Sequence, residues 1–222
     1  MTLAARIDHT QLRPDCTEAQ IIQLCEEARE NAFATVCVPP CYVALAAEKL
    51  AGTAVGICTV IGFPLGYSTS SAKFKEAEAA LYDGATELDI VINISALKSG
   101  KTEAIQAEIL DLADLCHVHQ ALLKVIIETA LLTEAEIELA CQLCVGGEAD
   151  FVKTSTGFAS RGASVADVEL MRRVLPETVR IKAAGGIRTR EAALALVAAG
   201  ADRIGSSNSV ALITSTDETT AA

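Results

Sequence analysis

The sequence predicts an α/β protein folded as a single (β/α)8 TIM barrel. Three observations carry this: eight short apolar strand-like runs, a helical pattern after each of them, and no long break between the units. The runs fall at residues 6–10, 34–38, 54–61, 87–93, 122–128, 150–154, 179–183 and 202–205. Helical patterns follow at 17–31, 41–51, 70–83, 102–117, 133–143, 165–175, 188–199 and, more briefly, 207–213. The first shows its period well, with Ile21, Ile22, Leu24, Cys25 and Ala28 on one side, Glu26, Glu27 and Glu30 on the other, and Thr17 placed as N-cap. Strands alternating with helices imply a parallel sheet with crossover helices. Eight units favour closure into a barrel over a doubly wound open sheet, and no GxGxxG follows the first strand.

Composition bounds the function. The chain has 222 residues, 51% of them hydrophobic, which suits one well-filled domain over 1–213 and a Ser/Thr/Asp/Glu tail over 214–222 that reads as disordered. A net charge of -11 with scattered lysines and arginines gives no footprint for nucleic acid or an anionic membrane. An anionic substrate must therefore be held by local devices such as helix N-termini and glycine turns. Residues 51–72 are uncharged but carry four glycines and a proline, so they read as a strand plus loop and not as a membrane span. No secretory segment opens the chain, and its eight cysteines read as reduced thiols of a cytoplasmic protein. Cys141 and Cys144 have CxxC spacing, but no second Cys/His pair accompanies them to make a zinc site.

Two lysines stand inside strand-like runs that lead into glycine turns: Lys153 in FVKTSTG and Lys182 in RIKAAGG. A cation in a buried strand is costly unless it is paired, deprotonated or used. Adjacent strands would set the two side chains together over the barrel mouth, where active sites of such barrels gather. Two ammonium groups about 6 Å apart at an effective dielectric of about 20 repel by roughly 3 kcal/mol, which favours one neutral amine beside one cation. A neutral amine can condense with a carbonyl to form a Schiff base. The alternative for each lysine is a structural ion pair, and Lys124 reads as a supporting charge. Asp89 shares a strand face with Glu87 and Asn93 and is placed to exchange protons with the lysines or to act as their counter-ion. Glycine-bearing segments at Gly157, Gly185-Gly186 and Gly205-Ser206-Ser207 close the last three strands, where such barrels commonly hold phosphate, and Arg188 lies near the middle one.

The segments KTSTGF (153–158), IKAAGGIR (181–188), ELDIVIN (87–93) and IDHT (7–10) together resemble the deoxyribose-phosphate aldolase family, in order over about residues 6–213. The resemblance implies a class I aldolase, without metal or other cofactor, that reversibly cleaves 2-deoxy-D-ribose 5-phosphate to acetaldehyde and D-glyceraldehyde 3-phosphate. It implies Lys153 as the Schiff-base lysine, Lys182 as its charged neighbour and proton-transfer partner, and Asp89 as proton donor and acceptor. Asp8, Thr10 and Cys37 would line the pocket, although Cys37 reads equally as a small buried core residue. Thr156, Gly157, Gly185, Gly186, Gly205, Ser206 and Ser207 would surround the substrate and its phosphate. Phe158 stands where some members carry a lysine near the phosphate, and 214–222 lacks the tyrosine that assists proton transfer in some of them. Rival readings are a different Schiff-base aldolase, a barrel isomerase using Asp89 as base, and a non-catalytic sugar-phosphate binder. A homodimer or tetramer is expected on general grounds.

Overall fold

The computed structural model describes residues 2–214, so the expectation of a disordered tail falls, beyond Thr214, outside the described residues. Eight parallel strands close on themselves in sequence order, with β8 beside β1. They are β1 (Ile7–Thr10), β2 (Thr35–Val38), β3 (Gly56–Ile61), β4 (Glu87–Val91), β5 (Leu122–Ile126), β6 (Phe151–Lys153), β7 (Arg180–Ala184) and β8 (Arg203–Ser206). The outer layer is α1 (Glu18–Glu30), α2 (Val43–Lys49), α3 (Ser70–Tyr82), α4 (Ile94–Lys98), α5 (Thr102–Val118), α6 (Glu134–Gly146), α7 (Val165–Val174), α8 (Arg190–Ala198) and α9 (Ser209–Thr214).

Period-two alternation divides each strand between two environments. Val36, Leu88, Ile90, Leu123, Val125, Val152, Ile181 and Ile204 point outward and join one apolar cluster with the helices. The intervening positions point inward, and there the barrel holds charge where branched aliphatics would ordinarily fill it: Asp8, Glu87, Asp89, Lys124, Lys153 and Lys182 are all buried. The Phe151 ring lies 4.0 Å from the Arg180 guanidinium and 5.8 Å from that of Arg203, so the interior cations rest against an aromatic face.

Local sequence explains the element ends. Thr17 and Gln20 form a capping box on α1, and Thr133 and Glu136 do the same on α6. The strand expected over 87–93 stops at Val91, because Asn93 turns its side chain to cap the unforeseen short helix α4. Asn93 therefore leaves the face it was expected to share with Glu87 and Asp89. The strand expected over 122–128 ends at Ile126, and Glu128 adopts a left-handed backbone with φ 55°. In the opposite sense α6 runs past 143 to Gly146, which places Cys141 and Cys144 on a helix face buried in the core. Burial pushes the Cys141 thiol up to about 12, and all eight cysteines are free. No helix among the described residues is long and apolar enough to cross a membrane.

One buried ion pair lies outside the barrel interior. Lys73 on α3 is fully buried and donates to Glu108 of α5 at 2.6 Å and to the Val91 carbonyl at 2.7 Å, tying two helices to the end of β4. Glu108→Ala leaves the ammonium unpaired and is expected to cost about 3–5 kcal/mol in urea unfolding, whereas the double change Lys73→Met with Glu108→Leu should recover most of it. Equal losses in the single and double variants would contradict this reading.

Candidate active site

Inward positions of six strands bring the charges into contact around Asp89. Its Oδ2 accepts from Lys153 Nζ and Lys182 Nζ, both at 2.7 Å, and its Oδ1 accepts from Lys124 Nζ at 2.8 Å and Cys58 Sγ at 3.1 Å. Lys182 also reaches Asp8 at 2.5 Å, and Lys124 reaches Glu87 at 2.6 Å. Arg203 completes the ring by bonding to both Asp8 and Glu87. Lys153 and Lys182 are direct register partners on β6 and β7, the lateral neighbours that the sequence led us to expect. The expected bare repulsion between them is modified by Asp89, which offers one oxygen to both. Four cations therefore meet three carboxylates, and the group balances when one lysine is neutral.

The partners decide how tightly each charge is held. Burial alone would raise the Asp89 carboxyl, but Lys124, Lys153 and Lys182 outweigh it and hold the group well below the usual carboxylate range. Asp8 behaves alike, with Lys182, Lys124 and Arg203 overcoming burial. Burial pulls Lys182 down, yet Asp8 and Asp89 prevail and keep it charged; Lys124 is likewise held above its ordinary value. Lys182 and Lys124 each contact two or more carboxylates closely or at a longer range, while Lys153 contacts Asp89 alone.

Above this cluster opens a cleft of about 650 Å³, and Lys153 is the one of the three lysines that lines it. Thr10, Thr156, Gly157, Gly185, Gly186, Gly205, Ser206 and Ser207 all border the same cleft. Asp8 and Cys37 do not. Both are fully buried; Asp8 sits among the lysines, and Cys37 packs with Cys58 and Val60 beneath Leu12 and Phe63. A hydrogen bond with Cys58 is the main influence lowering the Cys37 thiol. Lys182 and Asp89 also lie behind the lining, and both oxygens of Asp89 are engaged by lysine.

Two expected contact residues have their hydroxyls occupied. Thr156 donates to Glu128 and accepts the Phe158 N–H, while Ser206 donates to the Ile187 carbonyl at 3.0 Å and accepts the Asn208 N–H at 3.0 Å. They shape the loops instead of presenting free side-chain donors. Glycine acts differently at the two last strands. Gly185 (φ 87°) lies against Gly162, where a Cβ would come within 2.0 Å of the Gly185 carbonyl oxygen, so two backbones touch. Gly205 belongs to β8 and forms no turn; a Cβ there would stand 3.2 Å from Lys182 Cε, so its bareness makes room for the lysine.

Sequence reasoning passed over Arg203, Gly162 and Arg13, the last of which borders the cleft. Arg203 was within reach, being two residues before Gly205 and so on the same inward face. Sulfur and carboxylate atoms of Cys37, Cys58 and Asp89 come within 4.8 Å of one another, as do those of Asp8, Cys58 and Glu87. Each of these carboxylates is already paired with lysine or arginine, so a metal ion entering here would have to displace a bound cation.

A family model described as DeoC/LacD family aldolase matches residues 2–210. The deoxyribose-phosphate aldolase of Desulfitobacterium hafniense (strain DSM 10664 / DCB-2) is 49% identical over 214 residues, covering 96% of this chain and 98% of the relative. That of Brevibacillus brevis is 50% identical over 218 residues, with 96% of each chain covered. Among solved structures, a tetrameric deoxyribose phosphate aldolase from Aeropyrum pernix superposes with a TM-score of 0.87 at 37% identity, over 95% of this chain and 88% of the other.

The cluster sets the pH dependence of stability. Asp8 and Asp89 are depressed in the fold, so their contribution is complete above the unfolded value of about 3.9 and is lost as pH falls toward the folded values. Lys124 and Lys182 are raised, so theirs is complete below about 10.4 and is lost as pH rises through the folded values. Urea unfolding followed against pH should show a steep acid limb that is shallower in Asp8→Asn; an unchanged limb would contradict the assignment.

Proposed function

From the premise that the chain belongs to the DeoC/LacD family of aldolases, we propose that it reversibly cleaves 2-deoxy-D-ribose 5-phosphate to acetaldehyde and D-glyceraldehyde 3-phosphate through a Schiff base on Lys153. The observation that carries this reading is the asymmetry of the lysines: Lys153 alone of the three lines the cleft, and it alone has a single carboxylate partner. It is the amine that can meet a carbonyl, while Lys182 stays charged behind it.

The cycle follows from this placement. Nζ of Lys153 adds to C1 of the open-chain sugar, and the carbinolamine loses water to give an iminium. Asp89 Oδ2, shared by the two ammonium positions, is the path by which a proton passes between Lys182 and the reacting centre. The iminium withdraws electrons as the C3 hydroxyl loses its proton and the C2–C3 bond breaks. Glyceraldehyde 3-phosphate leaves, and an enamine of acetaldehyde remains on Lys153. Protonation at C2 and addition of water then release acetaldehyde and restore the amine. The iminium supplies the electron withdrawal, so no step calls for a metal or another cofactor.

At the far end of the cleft, the backbone at Gly157, Gly185-Gly186 and Gly205–Ser207 would hold the phosphate, with Arg188 at the rim. Phe158, half-exposed and edge-on to Phe63 at 5.3 Å, supplies an apolar wall there and no charge. Eight free cysteines support a reducing, cytoplasmic setting for this sugar catabolism. The tetrameric Aeropyrum pernix relative supports a homo-oligomer, dimer or tetramer, which light scattering of the purified chain would test.

Borohydride reduction in the presence of deoxyribose 5-phosphate, followed by peptide mass mapping, should place the adduct on Lys153. Activity without any trapped adduct would sink the covalent mechanism. In the same assay Lys182→Met should lower kcat by about 10²–10⁴-fold and move the ascending limb of the pH–rate profile to higher pH. An unmoved profile would remove the electrostatic part of the account.

A further inference from the structure

His9 lies on β1 between Asp8 and Thr10, but its ring points the other way, toward the helices. It is buried against Phe33, with ring centroids 5.2 Å apart. Its Nε2 is 2.7 Å from Glu27 Oε2 on α1, and its Nδ1 is 2.9 Å from Ser209 Oγ at the start of α9. The order serine, histidine, carboxylate is that of an activated nucleophile. Ser209 is fully buried, however, and donates to the Ser206 carbonyl at 2.9 Å, so no substrate meets it.

The bonds instead form a chain that ends at the cleft. Ser209 holds the carbonyl of Ser206, whose hydroxyl in turn holds the Ile187 carbonyl and the Asn208 N–H. Those contacts belong to the loops after β7 and β8, the two that border the far end of the cleft. The direction of the protons is fixed by chemistry. A carbonyl can only accept, so Ser209 spends its one proton on Ser206 and must accept from Nδ1–H. The contact between Nε2 and Glu27 takes a second proton, shared by the ring and the carboxylate, and locks the ring at its other edge.

We propose that His9 is a positioning residue for the anion end of the cleft: donating to Ser209, it fixes Ser206 and, through Ser206, the two loops that hold the substrate's phosphate. This rests on the aldolase reading above for the identity of the anion. His9 and Ser209 touch neither the cleft nor the lysines, so the effect is on binding and not on chemistry.

The test separates these. His9→Phe keeps a ring beside Phe33 and removes both hydrogen bonds. It should raise KM for deoxyribose 5-phosphate by about tenfold, the equivalent of one buried hydrogen bond, and Ser209→Ala should do the same. Both kcat and the kcat/KM for unphosphorylated 2-deoxyribose should stay within about twofold of the unaltered chain. His9→Asn sets a side-chain N–H where Nδ1 stood and should restore most of the loss, whereas His9→Gln, reaching only toward Glu27, should not. Equal losses on both sugars, an unchanged KM, or rescue by Gln as good as by Asn would overturn the proposal. Inorganic phosphate titrated calorimetrically reads the same end of the cleft without turnover. Weaker binding in His9→Phe supports the proposal and equal binding overturns it, even if the unaltered chain cleaves neither sugar and the aldolase reading itself falls.

Discussion

Asp89 is the constraint on which the rest of the structure depends. One carboxylate, fully buried, neutralises parts of three ammonium groups, and without it the barrel would enclose charges it could not tolerate. Its neighbours are fitted to that task. Asp8 and Glu87 take the remaining charge of Lys182 and Lys124, Arg203 joins those two carboxylates, Phe151 offers its face to the cations, and Gly205 leaves Lys182 room to lie flat. Such an interior gives up the packing energy that branched aliphatics would supply there. The outward-facing positions of the same strands, packed against the helices, provide the compensating apolar core.

The same arrangement sets one lysine apart from the other two. Cations outnumber carboxylates by one in the cluster, and the lysine with one partner is the lysine that borders the cleft. The proposed reaction would then set covalent chemistry and anion binding at opposite ends of one opening. The charged cluster works through side chains inside the barrel, while the far end is built from backbone and glycine after the last strands. In a chain with net charge -11, that local device is what the proposed anionic substrate would depend on.

Much of this was legible in the sequence, because strand and helix periods are written in every unit and the inward positions follow by counting in twos. Lys153, Lys182, Lys124 and Asp89 could be placed together for that reason. Depth could not be counted in the same way. Asp8 and Thr10 share an inward face, but one strand step of two residues, roughly 7 Å, separates the interior from the cleft, so only Thr10 reaches it. The occupied hydroxyls of Thr156 and Ser206 left no sequence signal either, since their partners, Glu128 and the Ile187 carbonyl, come from neighbouring loops. Asn93 was misplaced because an apolar run does not announce where a cap will interrupt it.

The central claim is that one of three clustered lysines is free to react and the other two are held as cations. Trace labelling with a small acid anhydride at about pH 7, resolved lysine by lysine through peptide mass mapping, tests it most directly. The account predicts that Lys153 labels ahead of exposed lysines such as Lys75, while Lys124 and Lys182 remain unlabelled in the folded protein. Labelling of Lys182 at a rate equal to or above that of Lys153 would contradict it.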